Sequence, residues 1–175
     1  MSCSTSSDFE WDLVIAQKHD VEPAVTNLSG HMNDEQRQKF RDKLNRYVHK
    51  ADRDLVLALQ GNRILGFYTV IDYDDLPLEV PASIRKRLHD YACGTGFLVH
   101  PEYRRRGIGI SLHGRVELWA RQRSKPGFWL STRRQANWFR KHFDFEEVAR
   151  VVVKGIERKI MAKSFGAGSH YELLQ

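Results

Sequence analysis

The chain has 175 residues, 41% of them hydrophobic and 29% charged, with a net charge of +6 and a pI of about 9.4. That length and composition fit one soluble globular domain, and the basic balance suits a polyanionic partner such as nucleic acid, an acidic membrane surface or a phosphorylated cofactor. No apolar run reaches the about 18 residues of a membrane span, Met1–Ser7 has neither the basic nor the apolar region of a secretory signal, and Cys3 and Cys93 do not make a disulfide framework, so a cytoplasmic protein without membrane contact is expected.

Residues 1–10 read as a loose N-terminus, and the folded domain runs from residue 11 to residue 163. Trp11–Ala16 is a short apolar run that predicts a strand. Val21, Val25 and Leu28 recur at helical spacing, ending near Ser29–Gly30. Asn33 or Asp34 is placed to cap a second helix that carries Phe40, Leu44, Tyr47 and Val48 on one face. Asp54–Leu59 and Ile64–Ile71 are apolar runs around the turn Gln60–Arg63, the pattern of a β-hairpin. Asp72–Pro77 ends it, and a short helix follows from Pro81 to His89. Tyr91–Val99 predicts a fourth strand, and Gly107 to about Gln122 a long amphipathic helix carrying Leu112, Val116 and Trp119. Ser124–Gly127 breaks that helix, Phe128–Thr132 is a fifth strand and Gln135–Phe143 a helix. Glu146–Val153 and Glu157–Lys163 complete the strands, and residues 164–175 form an irregular tail. The order predicts an α/β (α+β) domain with a mixed, mostly antiparallel central sheet of about seven strands flanked by helices, built around one strand–helix–strand unit.

Between the fourth strand and the long helix lies His100-Pro101-Glu102-Tyr103-Arg104-Arg105-Arg106-Gly107-Ile108-Gly109. A strand-to-helix turn of this kind exposes backbone N–H groups at the positive end of a helix dipole. Gly107 and Gly109 let a ligand approach the backbone, and Arg104, Arg105 and Arg106 supply donors suited to phosphate oxygens. From the residues alone this is a diphosphate-binding loop; the bland alternative is an arginine-rich helix cap.

The element order and the stretch Val99–Gly109 closely resemble the GNAT superfamily of acetyl-CoA-dependent N-acetyltransferases. Its signature is Arg or Gln, two residues, Gly, one residue, then Gly or Ala, which Arg104, Gly107 and Gly109 meet. The coarse resemblance spans Leu13 to Lys163, while Tyr91 to Phe145 carries the family-like motifs. It implies a GNAT acyl-CoA N-acyltransferase fold. It implies further that the pyrophosphate of coenzyme A lies on the amides of Arg105 to Ile110, that Phe97, Leu98 and Val99 run alongside the pantetheine arm, and that the fourth and fifth strands splay around the thioester. Asn137 matches an asparagine that contacts the cofactor in many relatives. The cofactor-binding set is thus Phe97, Leu98, Val99, Arg104, Arg105, Arg106, Gly107, Ile108, Gly109, Ile110 and Asn137, with acetyl-CoA as cosubstrate and no metal.

The chemistry implied is transfer of an acetyl group to a small-molecule or peptide amine by direct attack in a ternary complex. The amine must first shed a proton, since an alkylamine has a pKa of about 10. The oxyanion needs a donor, for which an amide near Leu98 or Val99 is the candidate. Relatives often take acid/base groups from the fourth strand, but Ala92-Cys93-Gly94-Thr95-Gly96 holds no Asp, Glu or His. Alternation puts Tyr91, Cys93, Thr95, Phe97 and Val99 on one face of that strand, with Cys93 read as inert packing. Asp90 and His89 just upstream read as a solvated pair. The tyrosine by which many relatives protonate the leaving thiolate falls here on Arg140, beside Phe139. The catalytic groups are therefore unassigned, with Tyr73, Tyr91 and Thr95 as candidates. Asp72, Asp74 and Asp75 form an acidic spot suited to a cationic acceptor. The alternative function is a non-catalytic module of the same fold whose basic surface grips CoA or nucleic acid. With the main reading no nucleic-acid partner is expected, and a homodimer is compatible with the fold.

Overall fold

The computed structural model describes residues 9–48, 50–73 and 75–166. The loose-terminus reading for residues 1–8, most of the irregular tail (residues 167–175), Cys3 and Asp74 lie outside the described residues. Seven strands form one sheet: β1 (Asp12–Ile15), β2 (Arg53–Gln60), β3 (Arg63–Ile71), β4 (Ala92–Val99), β5 (Gly127–Thr132), β6 (Glu146–Val153) and β7 (Ile156–Ser164). The helices are α1 (Val21–Leu28), α2 (Asp34–Asn45), α3 (Ala82–Leu88), α4 (Ile108–Gln122) and α5 (Ala136–Phe143). Single 3-10 turns at Lys18–Asp20 and Pro101–Tyr103 add to the expected elements.

The strand order is β1-β2-β3-β4-β5-β7-β6, and every neighbouring pair is antiparallel except β4 and β5. The single parallel pair follows from the crossover through α4, which returns the chain to the same end of the sheet. Side-chain alternation divides the core. Val56 and Ala58, Tyr68 and Val70, Phe128 and Leu130 face α4 and α5. Leu55, Leu57 and Phe67 face α1 and α2. Trp129, Ile160 and Ala162 lie on that second face with Tyr91 and Cys93.

Local sequence sets the helix ends. Asn33 caps α2: its Oδ1 accepts the Gln36 N–H at 2.9 Å, and Gln36 Oε1 accepts the Asn33 N–H at 3.1 Å. Gly107 caps α4 in the left-handed region, at φ +84°. Asp144 ends α5 in the same region, at φ +57°.

Two irregularities position the site. In the β3–β4 ladder Thr69 pairs with Gly96 and Val70 with Gly94, so Thr95 is a bulge with no partner. The bulge corrects the expected alternation along β4. Tyr91 and Cys93 face the α1/α2 side, whereas Phe97 and Val99, beyond the extra residue, face α4. Secondly, β4 pairs with β5 only from Ala92 to Gly94, opposite Phe128 to Leu130. Past Gly94 the two strands part.

Candidate acyl-transfer site

The loop from His100 to Gly109 is held from both sides. His100 N–H bonds to Leu65 O at 2.8 Å, and Arg104 Nε donates to Val99 O at 3.1 Å. Arg106 lies over Phe9, 4.4 Å from the ring centroid, and over Tyr103 at 5.6 Å. Within α4 the ladder begins with Ile110 and Ser111, both bonded to Gly107 O. The N–H groups of Arg105, Arg106, Gly107, Ile108 and Gly109 therefore have no acceptor among the described residues. Left-handed φ values at Arg105 (+63°) and Gly107 (+84°) turn this run of amides into a concave nest.

The nest opens onto a cavity of about 680 Å³. Of the residues expected at a cofactor, Phe97, Leu98, Val99, Arg104, Arg105, Gly107, Ile108, Gly109 and Ile110 line it. Arg106 does not, because its guanidinium stacks on Phe9 and Tyr103 instead. Nor does Asn137: it is exposed and accepts a bond from Arg140 Nη1 at 3.0 Å. One residue further along α5, Trp138 lines the cavity with Arg134, Gln135 and His142. Trp138 stacks on Phe97 with ring centroids 5.4 Å apart. The helical period of α5 turns position 138 inward where 137 faces water, a one-residue difference the sequence motif does not resolve. Gly109 sits under this pair, and a Cβ there would lie 3.0 Å from the Phe97 ring and 3.3 Å from Trp138.

A second cavity, of about 480 Å³, occupies the gap between β4 and β5 and shares Phe97, Arg134 and Gln135 with the first. Its walls include Tyr68, Thr95, Gly96, Ser131, Arg133 and Arg158, and no Asp, Glu or His. Beyond Gly94, the β4 backbone groups that face β5 have no strand partner and border this space.

Among the catalytic candidates only Thr95 lies at the gap. Its hydroxyl bonds to Tyr47 Oη and, at 3.0 Å, to Thr69 Oγ1. Lys43 of α2 lies against the bulge and donates to Thr95 O at 2.7 Å. Burial, with the nearby Arg46 charge second, holds the Lys43 pKa below that of a free lysine. Tyr73 and Tyr91 stand apart from both cavities. Tyr73 is exposed, with its hydroxyl bonded to Asp75, and Tyr91 is packed beneath β5 and β7 with its hydroxyl 2.8 Å from Ser164 Oγ. Asp72 is committed to Lys125 (3.5 Å) and Arg123 (3.9 Å). The acidic spot thus belongs to another part of the surface.

The residue the sequence reading missed is Tyr68. Its ring is packed against Phe97 and Phe128, and its hydroxyl lies 2.7 Å from where a Cβ on Gly94 would stand. Burial raises its pKa well above that of a free tyrosine, so it stays a proton donor at neutral pH. No local motif marks it; it looks like any aromatic of a buried strand.

These features suit an elongated ligand with an anionic middle and a narrow reactive arm: amides for the anion, unpaired strand edge for the arm, and the gap between β4 and β5 at its end. The family model described as Acetyltransferase (GNAT) family matches residues 22–145, more than half of the chain. No curated protein matches the chain by sequence. Solved structures share the fold. Ard1 from Thermoplasma volcanium superposes with a TM-score of 0.65 at 15% identity, covering 90% of this chain and 99% of that one. The ribosomal-protein-S18-alanine N-acetyltransferase of Escherichia coli gives 0.64 at 16%, covering 92% and 98%. The PaiA N-acetyltransferase of Thermoplasma acidophilum, solved with coenzyme A, gives 0.63 at 16%, covering 90% and 100%. By its family match and its fold, the chain belongs to the GNAT acetyltransferase family, N-acetyltransferases that use acetyl-CoA.

Proposed function

We propose that the chain transfers the acetyl group of acetyl-CoA to an amine by direct attack in a ternary complex. The observation that carries this is the continuity of the amide nest of Arg105 to Gly109 with the β4–β5 gap. The nest would hold the pyrophosphate, with Arg104 and Arg105 at its side. Phe97 and Trp138 would flank the arm, and the free edge of β4 would pair with its amides. The thioester carbonyl would then meet N–H groups of β4 that no strand satisfies, which stabilises the oxyanion formed on attack.

The amine nitrogen attacks the acyl carbon, the C–S bond breaks, and one amine proton must leave. No carboxylate or histidine lines the gap, so that proton passes to water, and the positive surroundings favour its loss. Tyr68 takes the role of acid toward the departing thiolate, which the family places on a tyrosine this chain lacks. Thr95 is held by Tyr47 and Thr69, and its carbonyl by Lys43; these bonds fix the bulge rather than move protons.

The test of the donor site is Gly109→Glu. A side chain there meets Phe97 and Trp138 and brings a negative charge to the nest. Calorimetric titration with acetyl-CoA is expected to lose measurable binding while the circular dichroism stays native. Unchanged affinity rules the pyrophosphate assignment out.

A further inference from the structure

The gap carries a charge pattern that goes beyond acetyl transfer to an amine, and the inference from it rests on that reading of the site. Arg133 and Arg158 line the gap and not the loop cavity, while Arg134 lines both. None of the three forms an ion pair among the described residues, although Arg41, Arg121 and Arg150 do so elsewhere. Pairing places Ser131 opposite Ile160 on the face that also carries Trp129, and Arg158 shares that face by its even spacing from Ile160. Thr95 presents its hydroxyl to the same side, toward Tyr47 of the α2 region. Ser131 Oγ is buried there without a hydrogen-bond partner among the described residues. Lys43 adds its ammonium directly behind Gly96. The gap is thus ringed by cations on its acceptor side, with no carboxylate among its lining residues.

Such a site repels a polycation, and its unpaired guanidinium forks offer the planar donor pairs that fit an oxyanion. We propose that the acceptor is a small amine that also bears an oxyanionic group, a carboxylate or a phosphate, held by Arg158 and Arg133 with Ser131 as a further donor. The cavity of about 480 Å³ is of the size that takes a small metabolite. In the step itself the amine nitrogen bonds to the acetyl carbon, the carbon–sulfur bond breaks, the amine proton passes to water, and the thiolate takes a proton from Tyr68, which water restores, and leaves as free thiol; the oxyanion is a handle and does not react.

The experiment follows free-thiol release from acetyl-CoA with matched acceptors: α-amino acids against their methyl esters, glucosamine 6-phosphate against glucosamine, and spermidine as the cation. The expected result is kcat/KM at least about tenfold higher for the charged member of one pair, which also tells carboxylate from phosphate, with spermidine the poorest acceptor. Arg158→Gln is expected to raise KM for that acceptor about tenfold and leave KM for acetyl-CoA unchanged, with Arg158→Lys intermediate because it keeps the charge without the fork. Equal rates within both pairs, or preference for spermidine, overturn the proposal while leaving acetyl transfer intact. An Arg158→Gln effect on acetyl-CoA instead of the acceptor also overturns it, since the arginine then serves the donor. If acetyl-CoA itself fails to bind in calorimetry, the reading of the whole site falls, and this inference with it.

Discussion

In the proposed reaction two residues carry most of the local chemistry, and neither works through its identity alone. Gly109 matters because of what stands over it, the Phe97–Trp138 stack, which leaves no room for a side chain. Tyr68 matters there because its ring packs against Phe97, His113 and Phe128 at the wall of the gap and burial keeps its hydroxyl protonated. Tyr68→Phe keeps the packing and removes only the proton donor. We expect kcat to fall about 100-fold with little change in melting temperature, checked by steady-state kinetics beside calorimetry. An unchanged kcat would assign the thiolate's proton to solvent. The motif Arg104, Gly107, Gly109 points to the proposed anion site from residue types alone, since glycine beside a helix start bares backbone amides and arginine supplies donors for phosphate. Tyr68 was not legible, because an aromatic in a buried strand is the commonest of packing residues.

At the scale of elements, the site exists because β4 changes character along its length. From Ala92 to Gly94 it is an ordinary parallel neighbour of β5; after the bulge at Thr95 it is a free edge. Alternation counted straight along the sequence put Thr95 and Phe97 on one face, and the extra residue reverses that. Lys43 and Tyr47, from the α2 region, hold the bulge from across a long sequence separation, which no local window reveals. The end of α5 offers a separate test. Asp144 occupies a left-handed position that glycine fills without steric cost. Asp144→Gly is expected to stabilise the fold by about 1 kcal/mol, seen as a rise of about 2–4 °C in melting temperature. A fall would show that the Asp144 side chain compensates for its backbone.

Across the whole molecule, a buried charge group ties the long helix to the last strand. Glu117 of α4 accepts from Arg121 Nη2 at 2.8 Å and from Lys163 Nζ of β7 at 3.0 Å. Burial alone would raise its pKa; contact with His113 and the bonds from Arg121 and Lys163 outweigh it and bring the pKa down to about 2. His113, 3.6 Å from Glu117, is enclosed by Phe128, Phe139, Phe143 and Phe145, and burial lowers its pKa despite the carboxylate. Both shifts act in one direction. Below the ordinary histidine value of 6.5 the unfolded chain takes up a proton that folded His113 refuses. Between 4.5 and about 2 the unfolded carboxylate is protonated ahead of Glu117. Stability is therefore full above the histidine range and declines on acidification in two stages. Denaturant midpoints measured across pH should show it, and Glu117→Gln should lower stability at neutral pH yet flatten the lower stage; an unaltered slope there would remove Glu117 from the acid response. The sequence by itself determined the element order, the sheet and the place of the glycine–arginine turn, because periodicity, caps and glycine–arginine punctuation are local properties of the chain. Only the tertiary structure decided where Tyr68, Trp138, Arg158 and Lys43 meet, and it moved the acidic spot at Asp72 away from the gap. These are contacts between distant segments, set by a bulge, a strand divergence and the turn of a helix, none of which leaves a mark in a single stretch of sequence.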